Sequence, residues 1–244
     1  MPQRSSTRRL QNQVALVTGS TRGIGLAIAR ALTAEGCNLI LTGRDEQALR
    51  RVSKELASAG IQILAHPCDV RDPRSVQNLF LVIRDKFKRL HILINNAGIA
   101  HANFTVDQLP LSLWKDVIDT NLTGMFLVTQ ASLPLMKPGG TIVNNLSIVA
   151  NRVFAGSAAY VASKHGALGL TNTLREELRP KGIRVIAFMP GATDTAIWNT
   201  FWPEAPRKKM MSPATIAQSV VNAILLPANA TVETLEILPT AGLL

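Results

Sequence analysis

Residues 14–25 read VALVTGSTRGIG. The run VALVT (14–18) suits a buried strand. It passes directly into a turn containing Gly19, Gly23 and Gly25. GIGLAIARALTAEG (23–36) then continues with helical periodicity to Gly36, a stop signal. Glycines permit a tight turn and close backbone approach, and the helix start offers unbonded N–H groups and the positive end of its dipole. A tight turn alone would also use glycine. The order strand, glycines, helix favours a cradle for a pyrophosphate.

Outward from this stretch, short apolar runs alternate with helical stretches. Strands are expected at 38–42 (NLILT), 61–66 (IQILAH), 91–95 (HILIN), 140–147 (GTIVNNLS), 184–190 (RVIAFMP) and 234–238 (TLEIL). Helices are expected at 45–60 with Asp45 as N-cap, and at 72–87 with Asp72 as N-cap and Pro73 in the first turn. Further helices are expected from about 113 to 136, over 158–179, and from Ser212-Pro213 to about 226. Near-continuous apolar strands of this kind are buried on both faces, as in parallel sheets. Repeated β-α-β units predict an α/β fold, a doubly wound parallel sheet of about seven strands with helices on both faces. Residues 1–244 are expected to form one domain, with a mobile basic arm over about 1–10. Ligands of such sheets bind at the carboxyl ends of the strands. That rule points to Gly19–Gly25, Gly43-Arg44, Cys68-Asp69, Asn95–Gly98, Ser147 and Pro190-Gly191.

Composition narrows the function. The chain is 47% hydrophobic and 17% charged, which excludes a disordered polymer. No apolar run is long enough to span a bilayer, and no cleavable leader is legible at the N-terminus. Cys37 and Cys68 lack metal-ligand spacing and read as reduced buried thiols, so a cytoplasmic protein without a metal is expected. The net charge of +10 is scattered along the chain, with no zinc spacing, basic-aromatic pattern or long basic helix. Nucleic acid and membrane are therefore not expected partners.

The type of nucleotide follows from the end of the second strand, LTGRD (41–45). A ribose 2′-hydroxyl is usually held there by an acid. Here Arg44 occupies that end and Arg22 lies inside the glycine turn. Two guanidiniums suit a 2′-phosphate, which favours NADP(H) over NAD(H). The plain alternative is that Arg44 merely precedes the helix cap at Asp45.

The chemical end is carried by YVASK (160–164), which holds the chain's one tyrosine. At helical spacing Tyr160 and Lys164 share a face, roughly 5–6 Å apart at Cβ. An ammonium there is expected to lower the phenol's ordinary pKa of about 10 and make Tyr160 a general acid/base. Alone, the pair would more often be a surface contact. Ser147, ending a strand, can donate to the same carbonyl oxygen. Asn121 interrupts a good helix; it marks either a kink or a residue holding a water beside Lys164.

With these residues in order the chain resembles the short-chain dehydrogenases/reductases, in their single-domain, Rossmann-type branch. The resemblance covers about residues 10–240. It rests on TGSTRGIG (18–25), NNAG (95–98), NLS (145–147), YVASK and PGATDT (190–195). It implies hydride transfer between NADP(H) and a carbonyl or secondary alcohol. Asn121, Ser147, Tyr160 and Lys164 would be the catalytic set, with Lys164 also holding the nicotinamide ribose. The implied cofactor site takes Gly19, Thr21, Arg22, Gly23, Ile24 and Gly25 from the first turn, with Arg44 beside it. Asp69 and Val70 would meet the adenine, and Asn95, Ala97 and Gly98 would flank the cofactor. Pro190, Gly191, Thr193 and Thr195 would approach the nicotinamide, with Thr193 standing where the family usually has an aliphatic residue.

Substrate contacts are expected from Ser147, Val149 and Phe154, and from a lid over about 192–211 carrying Trp198, Phe201 and Trp202. These aromatics form either an apolar wall or a packing surface. Arg207, Lys208 and Lys209 are either solvated or turned to an anionic substrate. Family members are commonly tetramers or dimers, and the apolar C-terminal tail is expected to pack on a neighbouring subunit. A more specific implication is reduction of 3-oxoacyl groups on an acidic acyl carrier protein, with Lys181 at one of its basic docking positions and Pro138, with Lys137 adjacent, at the other. The competing implications are a reductase of free carbonyl compounds and a non-catalytic NADP-binding regulator.

Overall fold

The computed structural model describes residues 8–57 and 60–243. Seven parallel strands form one sheet in the order β3-β2-β1-β4-β5-β6-β7. They are β1 Val14–Thr18, β2 Asn38–Gly43, β3 Ile63–Pro67, β4 Ile92–Asn95, β5 Thr141–Asn145, β6 Arg184–Pro190 and β7 Thr234–Ile237. The connecting helices are α1 Gly23–Ala34, α2 Glu46–Leu56, α3 Pro73–Phe87, α4 Leu111–Ile118, α5 Gly124–Ser132, α6 Ala158–Leu178, α7 Trp198–Phe201 and α8 Pro213–Ile224. The α/β, doubly wound architecture expected from the alternating pattern is therefore present.

Side-chain alternation explains why the strands read as unbroken apolar runs. Ala15 and Val17 of β1 pack in one core with Ile28 and Leu32 of α1 and Val220 of α8. Leu16, between them, packs in the other with Leu79 and Ile83 of α3 and Leu174 of α6. Both faces are covered, so neither tolerates a polar repeat. Local signals set the helix starts. Asp45 accepts from Ala48 N at 2.9 Å, Asp72 from Arg74 N at 2.9 Å and Ser212 from Thr215 N at 3.1 Å.

Three expectations need correction. The helix expected from about 113 to 136 is two helices joined by a π-helical turn, Asp119–Thr123, with Asn121 at its centre. The helix expected over 45–60 ends at Leu56. The expected mobile arm falls mostly on residues 1–7, outside the described residues. Its last part is docked: Leu10 is buried and donates its N–H to Glu35 O, and Arg9 pairs with Glu35 at 2.8 Å. No helix among the described residues is long and apolar enough to cross a membrane.

The edge opposite the strand carboxyl ends is closed by Arg184, the first residue of β6. Its guanidinium donates to Ile224 O at 2.8 Å, to Leu226 O and Ala230 O at 3.3 Å, and to Thr141 Oγ1 at 3.0 Å. Those carbonyls lie at and beyond the C-terminus of α8, where backbone acceptors lack helical partners. Arg184→Ala is expected to cost about 2–3 kcal/mol and to lower the melting temperature by roughly 5 °C or more. An unchanged melting temperature would show that water replaces the guanidinium without loss.

Candidate active site

Strand order reverses between β1 and β4, so their following segments diverge and leave a crevice at the carboxyl edge of the sheet. A cavity of about 660 Å³ occupies it. It runs from the ends of β2 and β3, past the glycine turn, to α6 and the loop after β6.

At the first end the glycine turn needs its glycines. Gly19 has φ +63° and Gly23 φ +56°, in the left-handed region. A side chain on Gly25 would collide with Gly19 O and Asn96 Nδ2. No side chain caps α1, so its first N–H groups face the cavity side unspent by a cap. Arg22 and Arg44 are exposed and line the cavity, and among the described residues neither forms a hydrogen bond or ion pair. Free N–H donors, unpaired guanidiniums and a backbone with no room for Cβ atoms fit a dinucleotide phosphate group. Asp69 lies beside them, gripped by Arg71 at 2.7 Å, and that hydrogen-bonded pairing holds its carboxyl below the usual carboxylate range.

At the other end α6 presents Tyr160 and Lys164. Lys164 is 5% exposed, donates to Asn145 O at 2.9 Å, and sits 5.6 Å from the Tyr160 ring centre. Burial pushes the ammonium down to about 8. Tyr160 departs from expectation: it is pushed up, because loss of water around the phenol outweighs the nearby Ser147 hydroxyl, which pulls the other way. The ring lines the cavity, and desolvation acts on phenol and ammonium alike. Ser147 follows β5 and caps a short 3-10 turn, Ile148–Ala150, accepting from Val149 N at 3.3 Å.

The loop over 192–211 folds back on itself. Asp194 N bonds Met211 O and Met211 N bonds Ala192 O. Phe201 lies 6.1 Å from Tyr160 between ring centres and 5.7 Å from Trp198, and Trp198 lies 6.4 Å from Trp202. Trp198 Nε1 donates to Thr193 O at 2.9 Å. With Phe154 and Val149, these aromatics line the cavity around Tyr160. Arg207 does not line it. Its guanidinium is spent on Asp194 Oδ1 at 2.9 Å, Thr195 O at 2.7 Å and Asn199 Oδ1 at 2.6 Å, and Lys208 and Lys209 are solvated.

Thr21, Ile24, Val70, Ala97, Gly98, Pro190, Gly191, Thr193 and Thr195 also line the cavity, as expected from sequence. Three expected residues do not. Gly25 is covered inside the turn. Asn95 points the other way, donating to Thr129 Oγ1 at 2.9 Å and Asn144 Oδ1 at 2.8 Å, because successive strand residues face opposite sides. Asn121 is buried in the π turn, and its amide is committed to Ile99 N, Ile99 O and Ser163 Oγ at 2.8–3.1 Å. Its Oδ1 and Lys164 Nζ would lie 3.3 and 3.8 Å from a side chain at Gly98.

Lys137 and Lys181 lie far from Tyr160. They line a separate cavity with Leu133, Met136 and Pro138, near the starts of β5 and β6. Pro239 and Leu243 of the tail reach this chain's own cavity. Sequence reasoning missed Asn96, Asn145 and Arg71. Asn96 Nδ2 donates to Thr18 O at 2.9 Å and Gly19 O at 3.2 Å, and its Oδ1 accepts from Asn145 Nδ2 at 2.9 Å. The doubled asparagine in each of NNAG and NNLS was the available signal. Cys37 and Cys68 are free and buried, and burial pushes the Cys37 thiol to about 12.

The buried ammonium yields a prediction about stability. Below pH 8 Lys164 is protonated folded or unfolded, and the fold bears the full desolvation cost. Between about 8 and 10.5 the unfolded chain binds more protons, so the contribution to stability rises with pH. Above 10.5 the cost is gone. Lys164→Met is therefore expected to raise the melting temperature at pH 7, by up to about 3 kcal/mol of stability, with the gain shrinking toward pH 10.5. A mutant no more stable than the wild type at pH 7 contradicts this.

Comparison with known proteins agrees with this architecture. A family model described as short chain dehydrogenase matches residues 13–205. A 3beta-hydroxysteroid dehydrogenase of Mediterraneibacter gnavus is 39% identical over 190 residues, covering 78% of this chain and 69% of that protein. An alcohol dehydrogenase of the archaeon Thermococcus sibiricus, solved with 5-hydroxy-NADP, has a TM-score of 0.87 at 29% identity, over 93% of this chain and 97% of its own. A 3-ketoacyl-(acyl-carrier-protein) reductase of Brucella melitensis, solved with NADH, has a TM-score of 0.85 at 26% identity, over 95% and 98%. The matched segment runs from β1 through α7 and takes in both ends of the cavity, so this chain belongs to the short chain dehydrogenase family of oxidoreductases.

Proposed function

We propose that the chain is an NADP(H)-dependent reductase of uncharged carbonyl compounds, with Tyr160 as general acid/base. One observation carries the reading. A single cavity has Arg22 and Arg44, unpaired among the described residues, at one end and Ser147, Tyr160 and Lys164 together at the other. Relatives bind either NADP or NADH forms, so the choice rests on local residues. Among the described residues Arg22 and Arg44 have no hydrogen-bond or ion-pair partner; they stand beside the ends of β1 and β2, with no acid in place of Arg44. They receive the 2′-phosphate as charge-assisted donors.

The nicotinamide supplies or accepts the hydride when bound. The protein's residues handle the oxygen and its proton. Ser147 Oγ and the Tyr160 hydroxyl bracket the carbonyl oxygen, and negative charge developing there draws the phenolic proton. Burial keeps that phenol protonated at neutral pH, which suits donation. The Lys164 ammonium then faces the phenolate that forms. Asn145 O fixes the ammonium's place.

The substrate end is aromatic and aliphatic. Among the described residues lining the cavity there, Lys164 is the only charged one, so an uncharged substrate fits. Arg207 cannot serve an anion while bound to Asp194. Lys137 and Lys181 lie at the opposite sheet edge and lend no support to a carrier-protein partner. Oligomerisation through the helices about α5 belongs to the same reading, with Trp114 and Phe126 exposed there.

Tyr160→Phe is expected to lower carbonyl reduction by roughly 10²–10⁴-fold while leaving the dissociation constant for NADPH within about twofold of wild type, measured by fluorescence titration. Normal turnover by this mutant defeats the acid/base assignment. Arg44→Asp is expected to reverse the preference for NADPH over NADH, by repelling the 2′-phosphate and accepting the free hydroxyl. An unchanged ratio of the two affinities would show that Arg44 does not read that phosphate.

A further inference from the structure

We propose that Arg71 is the positioning residue for adenine recognition: it holds the Asp69 carboxylate toward the base while keeping Arg44 free for the 2′-phosphate. The proposal rests on the NADP(H) reading above. The strand order fixes the direction in which the nucleotide lies. Lys164 bonds the last carbonyl of β5, the glycine turn follows β1, Arg44 follows β2, and Asp69 follows β3. A ribose held beside Arg44 leaves the base at the end of the next strand outward, which is β3. The carboxylate there is an acceptor, and the exocyclic amine of adenine is a donor.

Asp69 alone would not be dependable. Arg44 acts on its charge through space, and Asp69 is about a third exposed. A free carboxylate beside a free guanidinium will pair with it, and both would be lost to the nucleotide. Arg71 prevents this. Its backbone N donates to Asp69 Oδ1 at 3.0 Å, and its Nε lies 3.0 and 3.1 Å from the two carboxylate oxygens. Its Nη2 donates to Oδ2 at 2.7 Å. A carboxylate offers about four acceptor positions; three donors from one residue leave about one for the base. The far side of the guanidinium is anchored on α4, where Nη1 donates to Asp116 Oδ1 at 3.0 Å. So Arg71 is clamped at both ends and, unlike Arg22 and Arg44, is not available to a phosphate.

The test compares equilibrium binding of NADPH with that of its hypoxanthine analogue, in which a 6-oxo group replaces the 6-amino group. Titration calorimetry on the intact protein needs no substrate. Wild type is expected to favour NADPH roughly tenfold, the scale of one charge-assisted hydrogen bond. Asp69→Ala should abolish the preference. Arg71→Ala should reduce it to about twofold or less, and Arg71→Lys should restore only part, since an ammonium cannot form the fork. If Arg71→Ala does not fold by its melting curve, Arg71→Lys and Asp116→Asn decide, each expected to lower the preference two- to threefold. A tenfold preference kept by Arg71→Ala, or by both milder variants, overturns the proposal. No preference in wild type also overturns it while leaving the cofactor reading intact. Failure of wild type to bind NADPH sinks that reading and the proposal with it.

Discussion

Asn96 ties together the carboxyl ends of three parallel strands, and the site is built around that tie. Its amide bonds the last carbonyl of β1 and the first carbonyl of the glycine turn, and it accepts from Asn145 at the end of β5. Thr18 reciprocates from β1, its Oγ1 accepting from Asn96 N and Ala97 N at 2.9 Å. At this point the strand order reverses, so the connections lead away on both sides and no helix can fill the gap. The turn can approach β4 this closely only because Gly19 and Gly25 have no side chains. Asn145 passes the constraint on, since its carbonyl receives the Lys164 ammonium. One set of polar contacts thus places both the phosphate cradle and the charged end of α6.

The cost of that arrangement falls on Lys164. An ammonium this buried, with one carbonyl and an aromatic ring nearby, opposes folding at neutral pH. The same lack of water strengthens its field at the Tyr160 ring. At neutral pH the phenol stays protonated, because loss of water raises its pKa as it lowers that of the lysine. The spacing of Tyr160 and Lys164 shows that they meet. It does not show which way the phenol moves, because that depends on how much water the aromatics of the 192–211 loop displace.

The sheet and its order of elements were legible because buried strands, capped helices and glycine turns are local patterns. YVASK and the glycine turn were legible for the same reason. What failed was orientation. Asn95 and Asn96 are adjacent and identical, yet one faces the α5 side and the other the crevice; a one-residue uncertainty in where β4 ends exchanges them. Arg207 read as either solvated or turned to an anionic substrate, and it is neither, because its partners Asp194 and Asn199 come from a loop whose fold no periodicity describes. The break at Asn121 was visible as a poor helix residue, while the π turn that absorbs it depends on Ile99 from another segment.

The distribution of charge within the cavity gives the net positive balance a more specific meaning. Arg22, Arg44 and Arg71 cluster at and beyond the glycine turn, and among the described residues only Arg71 of the three has a carboxylate partner. The opposite end has one cation, buried and bound to a backbone carbonyl, within aromatic walls. On the proposed reading an anionic nucleotide would enter with its phosphates toward β2 and its nicotinamide toward Tyr160. A substrate carrying charge would have to desolvate it against Phe154 and Phe201 without a compensating partner. The cavity is thus asymmetric in charge, with solvated arginines at one end and aromatic side chains around Tyr160 at the other.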